Sequence, residues 1–350
     1  MEKIKKELNE ISWDVPESVY RADPALSYST LARYEREGFD KLDSLFDQIS
    51  TPSLTQGSMV DALITGGEEE FNERFYVADF PSLGDKEQQI ADLLFDSHHE
   101  TCAGFSAIPN ADIIAAANQI VYYKNYTDPV RVKKLTEACS QYYNLKYLAG
   151  DKEIVSANTY AKVIAMVNAL KESASTARYF MPDEPFSNVK RYYQLKFKAT
   201  LEGIDYRCMA DLIVCNYDTK DIFLIDLKTS GKSEWNFPRS FVDWMYAQQG
   251  RLYYRIIEDN LKRDDYFKDF KIHNYRFIVV NKAKLTPLVW EYTDTKKYGE
   301  LVYGKNQQIV VRDPFVIGKE LQYYLDNRPN VPIGIDEEGV NDIVSVLNQL

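Results

Sequence analysis

Two acids and a lysine stand inside apolar runs of this sequence, where unpaired charge is costly to bury. In "DIFLIDLKTS", residues 221–230, Asp226 and Lys228 interrupt Ile222, Phe223, Leu224, Ile225 and Leu227. Alternation along a strand sets both on one face, beside Ile222 and Leu224. In "RCMADLIVC", just upstream, Asp211 is a lone acid with Met209 and Ile213 on its face. If the two runs pair as a hairpin through "NYDTKD", Asp211 and Asp226 converge at one end of a sheet. Two carboxylates held close repel each other unless a cation lies between them. Mg²⁺ suits such a gap, because it accepts one or two carboxylates, keeps several waters and completes its shell with phosphate oxygens. A lysine alongside can orient or deprotonate an attacking water, or neutralise charge growing on a scissile phosphate. The chemistry this describes is metal-assisted phosphodiester hydrolysis.

Asp-x-Lys alone carries little information. It occurs at Asp218, Asp226, Asp269 and Asp294, and only the Asp226 copy lies inside an apolar strand. The same residues also suit a structural ion pair at a sheet edge, with Asp211 capping a turn. The following helical segment adds Gln249 and Tyr253, one turn apart on a shared face. Beside an acidic cluster they can bind a phosphate oxygen or a metal-bound water.

The elements that must position these residues follow from periodicity. From Lys190 the pattern becomes strand-like: "RYYQLKFKATLEG", "DYRCMADLIVCNY" and "DIFLIDLKTS" read as consecutive strands joined by "EGID" and "NYDTKD" turns. "SFVDWMYAQQGRLYYRIIEDNLK" reads as one helix, and "YRFIVVN" and "PLVWEYT" as two more strands. Ahead of them lie helices over about 2–12, from near Ser29, and from about Gln56 to a Gly66-Gly67 stop, followed by a mostly helical stretch over 85–180. A helix over about 312–327 and a short closing helix end the chain. We expect an α/β fold, a sheet with helices on its faces behind a mostly helical N-terminal half. Its parts would be a helical segment 1–84, a helical insertion 85–189, a core 190–295 and a C-terminal helical extension 296–350.

Composition sets the outer limits. The chain has 350 residues, 45% hydrophobic, with 26 Tyr, 17 Phe and 4 Trp, enough for a large core. No apolar run approaches a membrane span and "MEKIKKELNE" is a charged helix start, so the expected location is cytoplasmic. Cys102, Cys139, Cys208 and Cys215 form no CxxC pair and are expected as buried thiols. His98 and His99 are adjacent and poorly placed to share an ion. The net charge of −11 argues against nucleic-acid binding over the whole surface, but leaves room for a local basic channel.

Taken in order, Asp211, Asp226-Leu-Lys228 and Gln249-x-x-x-Tyr253 resemble the PD-(D/E)XK nuclease superfamily. In detail they resemble the RecE-type phage and prophage exonucleases, close to the RecB nuclease domain. "GIDYRCMADLIV" followed by "FLIDLKTS" is the most specific part. "LSYSTLARYE" (26–35) is similar to that family's opening Ser-x-Ser-x-Leu helix start, and "GSMVDALIT" (57–65) to its Gly-x-x-x-His-x-Leu helix. "YRFIVVNKAKLTPLVWEYT" is similar to its closing strand pair. Asp61 stands where the family often has a metal-binding histidine, and an aspartate can still ligate a hard cation.

The resemblance implies a restriction-endonuclease-like core with a mixed central sheet flanked by helices. In it Asp211, Asp226 and the backbone carbonyl of Leu227 would hold Mg²⁺, or Mn²⁺ in its place, with Asp61 as a further ligand. It implies Lys228 as the catalytic lysine, with Gln249 and Tyr253 positioning the nucleophile or the DNA backbone. RecE-like enzymes degrade linear double-stranded DNA processively as rings and work beside a single-strand-annealing recombination protein. A homo-oligomeric ring and such a partner are therefore expected here. An endonuclease of the same fold, or an inactive descendant that binds DNA or protein, is the alternative. Lys196, Lys198, Arg207, Lys232 and Arg239 are candidates to line the DNA path. Trp235 and Trp244 can stack on bases, although packing is the commoner fate of a tryptophan.

Overall fold

The structure is a computed structural model that describes residues 6–47, 51–184, 187–305 and 308–327. The chain divides into two compact units, one formed by 1–57 with 168–350, the other by 58–167. The short closing helix expected after residue 327 lies outside the described residues, as do residues 2–5 of the expected N-terminal helix. What is described there is a single 3₁₀ turn, Leu8–Ile11.

Along the chain come α1 (Glu17–Ala22), α2 (Tyr28–Glu37), α3 (Pro52–Thr65), α4 (Gly67–Arg74), β1 (Phe75–Val77) and α5 (Asp85–His98). They are followed by α6 (Asn110–Gln119), α7 (Asp128–Ala149), β2 (Glu153–Val155), α8 (Ala157–Glu172) and α9 (Ala177–Phe180). The remaining elements are β3 (Val189–Leu201), β4 (Ile204–Asn216), β5 (Asp221–Ser230), α10 (Phe237–Asp243), α11 (Tyr246–Arg263) and β6 (Lys271–Ile272). Last come β7 (Tyr275–Asn281), β8 (Leu288–Tyr292), β9 (Leu301–Tyr303), β10 (Ile309–Val311) and α12 (Pro314–Asp326).

The unit 58–167 is largely helical. Its core gathers Ile90 and Leu94 of α5, Phe105 from the turn before α6, Ile113 and Ala117 of α6, and Leu135, Cys139 and Tyr143 of α7. The short strands β1 and β2 pair in parallel beside them. All four cysteines of the chain are free and buried. His98 faces Asp112, while His99 bonds the Phe95 carbonyl, so the two rings serve different partners.

The other unit is built on a mixed sheet in the order β3-β4-β5-β7-β8, with β6 pairing β5 at its start. β3, β4 and β5 are antiparallel, β5 and β7 parallel, β7 and β8 antiparallel. Two tight turns fix the first three strands. Glu202 and Gly203 (φ 53° and 84°) make the two-residue left-handed turn that matches strand twist. The Asn216 carboxamide accepts from the N–H groups of Asp218 and Thr219 in the second turn. The parallel step from β5 to β7 needs a crossover, which α10 and α11 supply.

Ala247, Leu252, Ile256, Ile257 and Leu261 lay α11 on the sheet over Ile213, Leu224 and Phe277. Gly250 allows the close approach, because a Cβ there would stand 3.3 Å from the Tyr292 ring and 3.4 Å from Tyr275. The helix read as continuous from Ser240 breaks at Met245, whose left-handed backbone (φ 57°) turns α11 away from α10. The stretch read as a helical extension carries the β9–β10 hairpin before α12. Among the described residues no helix is long and apolar enough to cross a membrane.

Candidate active site

The β4–β5 ladder runs from Asn216↔Asp221 to Leu212↔Ile225 and then ends. Asp211 and Asp226 are the next position in that register. Opposed residues of an antiparallel pair share a face, so both carboxylates emerge on the α11 side where the strands part. β5 then continues on β7 alone, from Ile225↔Arg276 to Ser230↔Asn281.

Backbone direction explains what Asp211 does. The carbonyls of Ile222 and Ser230 accept from His273 and Lys282 on the β6–β7 side. Leu227, at an odd position, therefore turns both its N–H and its C=O toward β4, past the end of the ladder. Its N–H is taken by Oδ2 of Asp211 at 2.9 Å. The Leu227 carbonyl faces the same opening.

Asp226 is only 1% exposed. Its Oδ1 accepts from Nε2 of Gln249 on α11 at 2.5 Å. Its Oδ2 lies 2.7 Å from Nζ of Lys228, an ion contact and not an aligned hydrogen bond, since this oxygen has no hydrogen-bond donor. Lys228 also rests 4.5 Å above the ring of Tyr246 at the start of α11. Burial alone would lower the lysine's pKa, but Asp226, with Tyr246, Tyr28 and Asp211 around it, outweighs burial and holds the pKa above the usual lysine range. Lys228 is thus an ammonium ion that balances one of two acids.

Tyr253 is buried on the same face of α11, edge-on to Tyr275 at 6.2 Å. Burial, followed by the nearby Tyr20, Cys208, Asp226 and Asp211, raises its phenol well above the ordinary value, so it stays neutral. Sequence reasoning missed Tyr246 and Tyr28. Tyr28 opens α2, and its hydroxyl donates to the Trp244 carbonyl at 2.5 Å. A tyrosine three residues before Gln249 was a usable signal for the first, since it falls on the same helix face. Tyr28 had no signal beyond its place in "LSYSTLARYE".

The donor set fits a small hydrated cation. Two carboxylates and a backbone carbonyl are hard oxygen ligands, and Mg²⁺ asks for few of them. Buried polar atoms without partners surround the pair: Oε1 of Gln249, the Tyr275 hydroxyl, and Oδ2 of Asp226 but for its lysine. Such atoms are ordinarily satisfied by water or an ion. Among the described residues no three His, Cys, Asp or Glu side chains gather as a ready-made cage. Asp61 is half-buried on α3, in the unit 58–167.

The candidate DNA-facing cations meet different fates. Arg207 is buried, and its guanidinium donates to the carbonyls of Ala25, Tyr20 and Arg21, so it clamps the N-terminal segment onto β4 and presents no charge to a ligand. Lys198 is paired with Asp23 at 2.8 Å. Lys196 is half-buried on β3. Lys232 and Arg239 are exposed at the end of β5 and on α10, both near Asp243.

No protein family and no curated protein matches the chain. A solved structure described as "Putative exonuclease" from Eubacterium rectale is similar over 91% of this chain and 85% of its own, at 12% identity and a TM-score of 0.39. The two folds correspond only loosely. The mixed α/β architecture, a central mixed sheet flanked by helices, stands on this chain's own strands and helices.

Proposed function

We propose that this chain is a metal-dependent deoxyribonuclease that hydrolyses phosphodiester bonds at the Asp211–Asp226 pair. One observation carries the reading: two carboxylates occupy the same register position where β4 and β5 part, with a lysine and a helix-borne glutamine on the inner one. A structural ion pair accounts for Asp226 and Lys228, and the Leu227 N–H for one oxygen of Asp211; the metal reading rests on both acids facing one opening.

Asp211, Asp226 and the Leu227 carbonyl would hold Mg²⁺, with Mn²⁺ as a substitute. The ion would polarise the scissile phosphate and lower the pKa of a bound water. Lys228 brings a positive charge to the phosphate as it gains negative charge. Gln249 fixes the orientation of the Asp226 carboxylate through Oδ1. Tyr253, neutral and buried, sets the depth at which α11 lies on the sheet.

The finer reading is a processive exonuclease on linear double-stranded DNA, assembled as a ring and partnered by a strand-annealing protein. It rests on the sequence resemblance. Purified protein would be incubated with linear and closed-circular duplex, with Mg²⁺ and with EDTA, beside Asp226→Ala. Mg²⁺-dependent loss of linear DNA alone, abolished by the variant, is the expected result. Cutting of circles would make it an endonuclease. DNA binding without hydrolysis would make it an inactive descendant and overturn the proposal.

A further inference from the structure

An indole is held out into solvent directly after the strand that carries Asp226 and Lys228. Trp235 is 74% exposed, the most exposed large apolar side chain among the described residues. Burying such a ring normally stabilises a fold, so its exposure calls for a cause. Its neighbours hold it there. Glu234 is buried, and its Oε1 accepts from the Asn281 N–H at 3.2 Å, the Thr286 N–H at 3.2 Å and the Thr286 hydroxyl at 3.0 Å. The Asn281 carboxamide donates to the Lys232 carbonyl at 2.6 Å. Phe237 is buried on the other side. The 3₁₀ turn Glu234–Asn236 is thereby pinned to the end of β7, and Trp235 meets Trp290 only edge-on, at 6.4 Å.

A second indole sits at the other end of the same segment. Trp244 is 49% exposed, with the guanidinium of Arg36 5.3 Å over its ring. It lies two residues before Tyr246, on which Lys228 rests. Alternating with the two indoles along the chain stand the exposed cations Lys232 and Arg239, which share the acid Asp243. Lys232 and Arg239 against Glu234 and Asp243 leave the segment 232–244 neutral, and Arg36 over Trp244 adds a positive charge there, on a chain whose total charge is −11.

Exposed aromatic rings interleaved with cations, beside a phosphodiester site, match unpaired nucleotides: rings take base faces and cations take phosphates. A duplex hides its base faces. We infer that Trp235 and Trp244, with Arg36, Lys232 and Arg239, form a stacking ledge for a single-stranded DNA segment leading to the Asp211–Asp226 pair. This deepens the nuclease reading and rests on it. The site then prefers substrates with unpaired nucleotides, whether single strands or overhanging ends.

The test measures binding of the full chain in EDTA, where hydrolysis is off. The probes are a labelled short single-stranded DNA oligonucleotide, the same length with abasic positions, and a blunt duplex. Expected are tighter binding of the normal single strand than of the other two, quenching of tryptophan fluorescence, and about a tenfold loss on Trp235→Ala, the scale of one base–aromatic stack. The exposed ring makes an unchanged melting temperature the expected control. Equal binding of normal and abasic strands, or full binding by Trp235→Ala and by Trp235→Ala/Trp244→Ala, would overturn the ledge even with Mg²⁺-dependent cleavage intact. Loss of self-association in the Trp235 variant with DNA binding unchanged would overturn it in favour of a protein interface. The nuclease reading itself fails separately, by absence of Mg²⁺-dependent hydrolysis in the unaltered protein.

Discussion

Arg251 is the largest fully buried side chain among the described residues, and truncating it tests how α11 is fixed behind the site. Its guanidinium donates to Oδ2 of Asp313 at 2.6 Å, to the Gly299 carbonyl at 2.7 Å and to the Lys297 carbonyl at 3.1 Å. Arg251→Met keeps the apolar stem and removes all three. Breaking a buried ion pair from one side costs about 3–5 kcal/mol, because the other charge is left uncompensated. Two features pull the figure down. Nη1 of Arg251 has no partner, so its removal relieves a cost of about 1 kcal/mol. Asp313 also keeps two donors, the N–H groups of Gly299 at 2.6 Å and Phe315 at 2.9 Å. We therefore expect a loss of about 3 kcal/mol at neutral pH, read from urea unfolding as a lower midpoint at unchanged slope. Adding Asp313→Asn should recover part of it, since the stranded charge is then gone. A loss under about 1 kcal/mol, or no recovery in the double variant, would refute the reasoning. Arg251 points away from Gln249 on the helix, so Mg²⁺-dependent hydrolysis per folded molecule should not change.

Other consequences can be checked alongside. Mg²⁺ should raise the melting temperature of the unaltered protein, by about 2.7 kcal/mol of linkage at a concentration a hundredfold above its dissociation constant, and Asp226→Ala should lose that rise. Gly318→Ala on α12 should destabilise by about 1–3 kcal/mol, because its Cβ would overlap the Tyr206 hydroxyl and reach Cζ at 2.9 Å. Tyr206→Phe, which deletes a buried hydroxyl without a partner, should soften that cost when denaturation of the pair is compared. Burial works to raise the Asp264 pKa, but Lys6 and the Phe267 and Tyr266 N–H groups outweigh it and hold the carboxyl below its ordinary 3.8. A depressed carboxyl contributes stability above the unfolded value and loses it as pH falls through the folded one. Asp264→Asn should thus cost stability at pH 7 by urea titration, with the gap to the unaltered protein closing below about pH 3.8; a gap that persists in acid would contradict the assignment.

The sequence by itself determined the strands and their turns. Period-two alternation from Lys190 and the "EGID" and "NYDTKD" punctuation define the β3–β4–β5 meander, because side-chain alternation and left-handed turn residues are local properties. Charges inside apolar runs marked Asp211, Asp226 and Lys228 for the same reason: their cost is visible without knowing their partners. Only the tertiary structure decided what answers those charges. The end of the β4–β5 ladder turns the Leu227 N–H onto Asp211, and the placement of α11 brings Gln249 to Asp226 and Tyr246 under Lys228. The left-handed Met245 that sets this helix start carries no compositional mark. Arg207 and Trp235 show the same limit from opposite sides. The arginine is buried because carbonyls nearly two hundred residues away along the chain close on it, and the tryptophan is exposed because Glu234 and Asn281 pin the turn beneath it. Burial is a sum over contacts distant in sequence, and residue type fixes only what each burial costs.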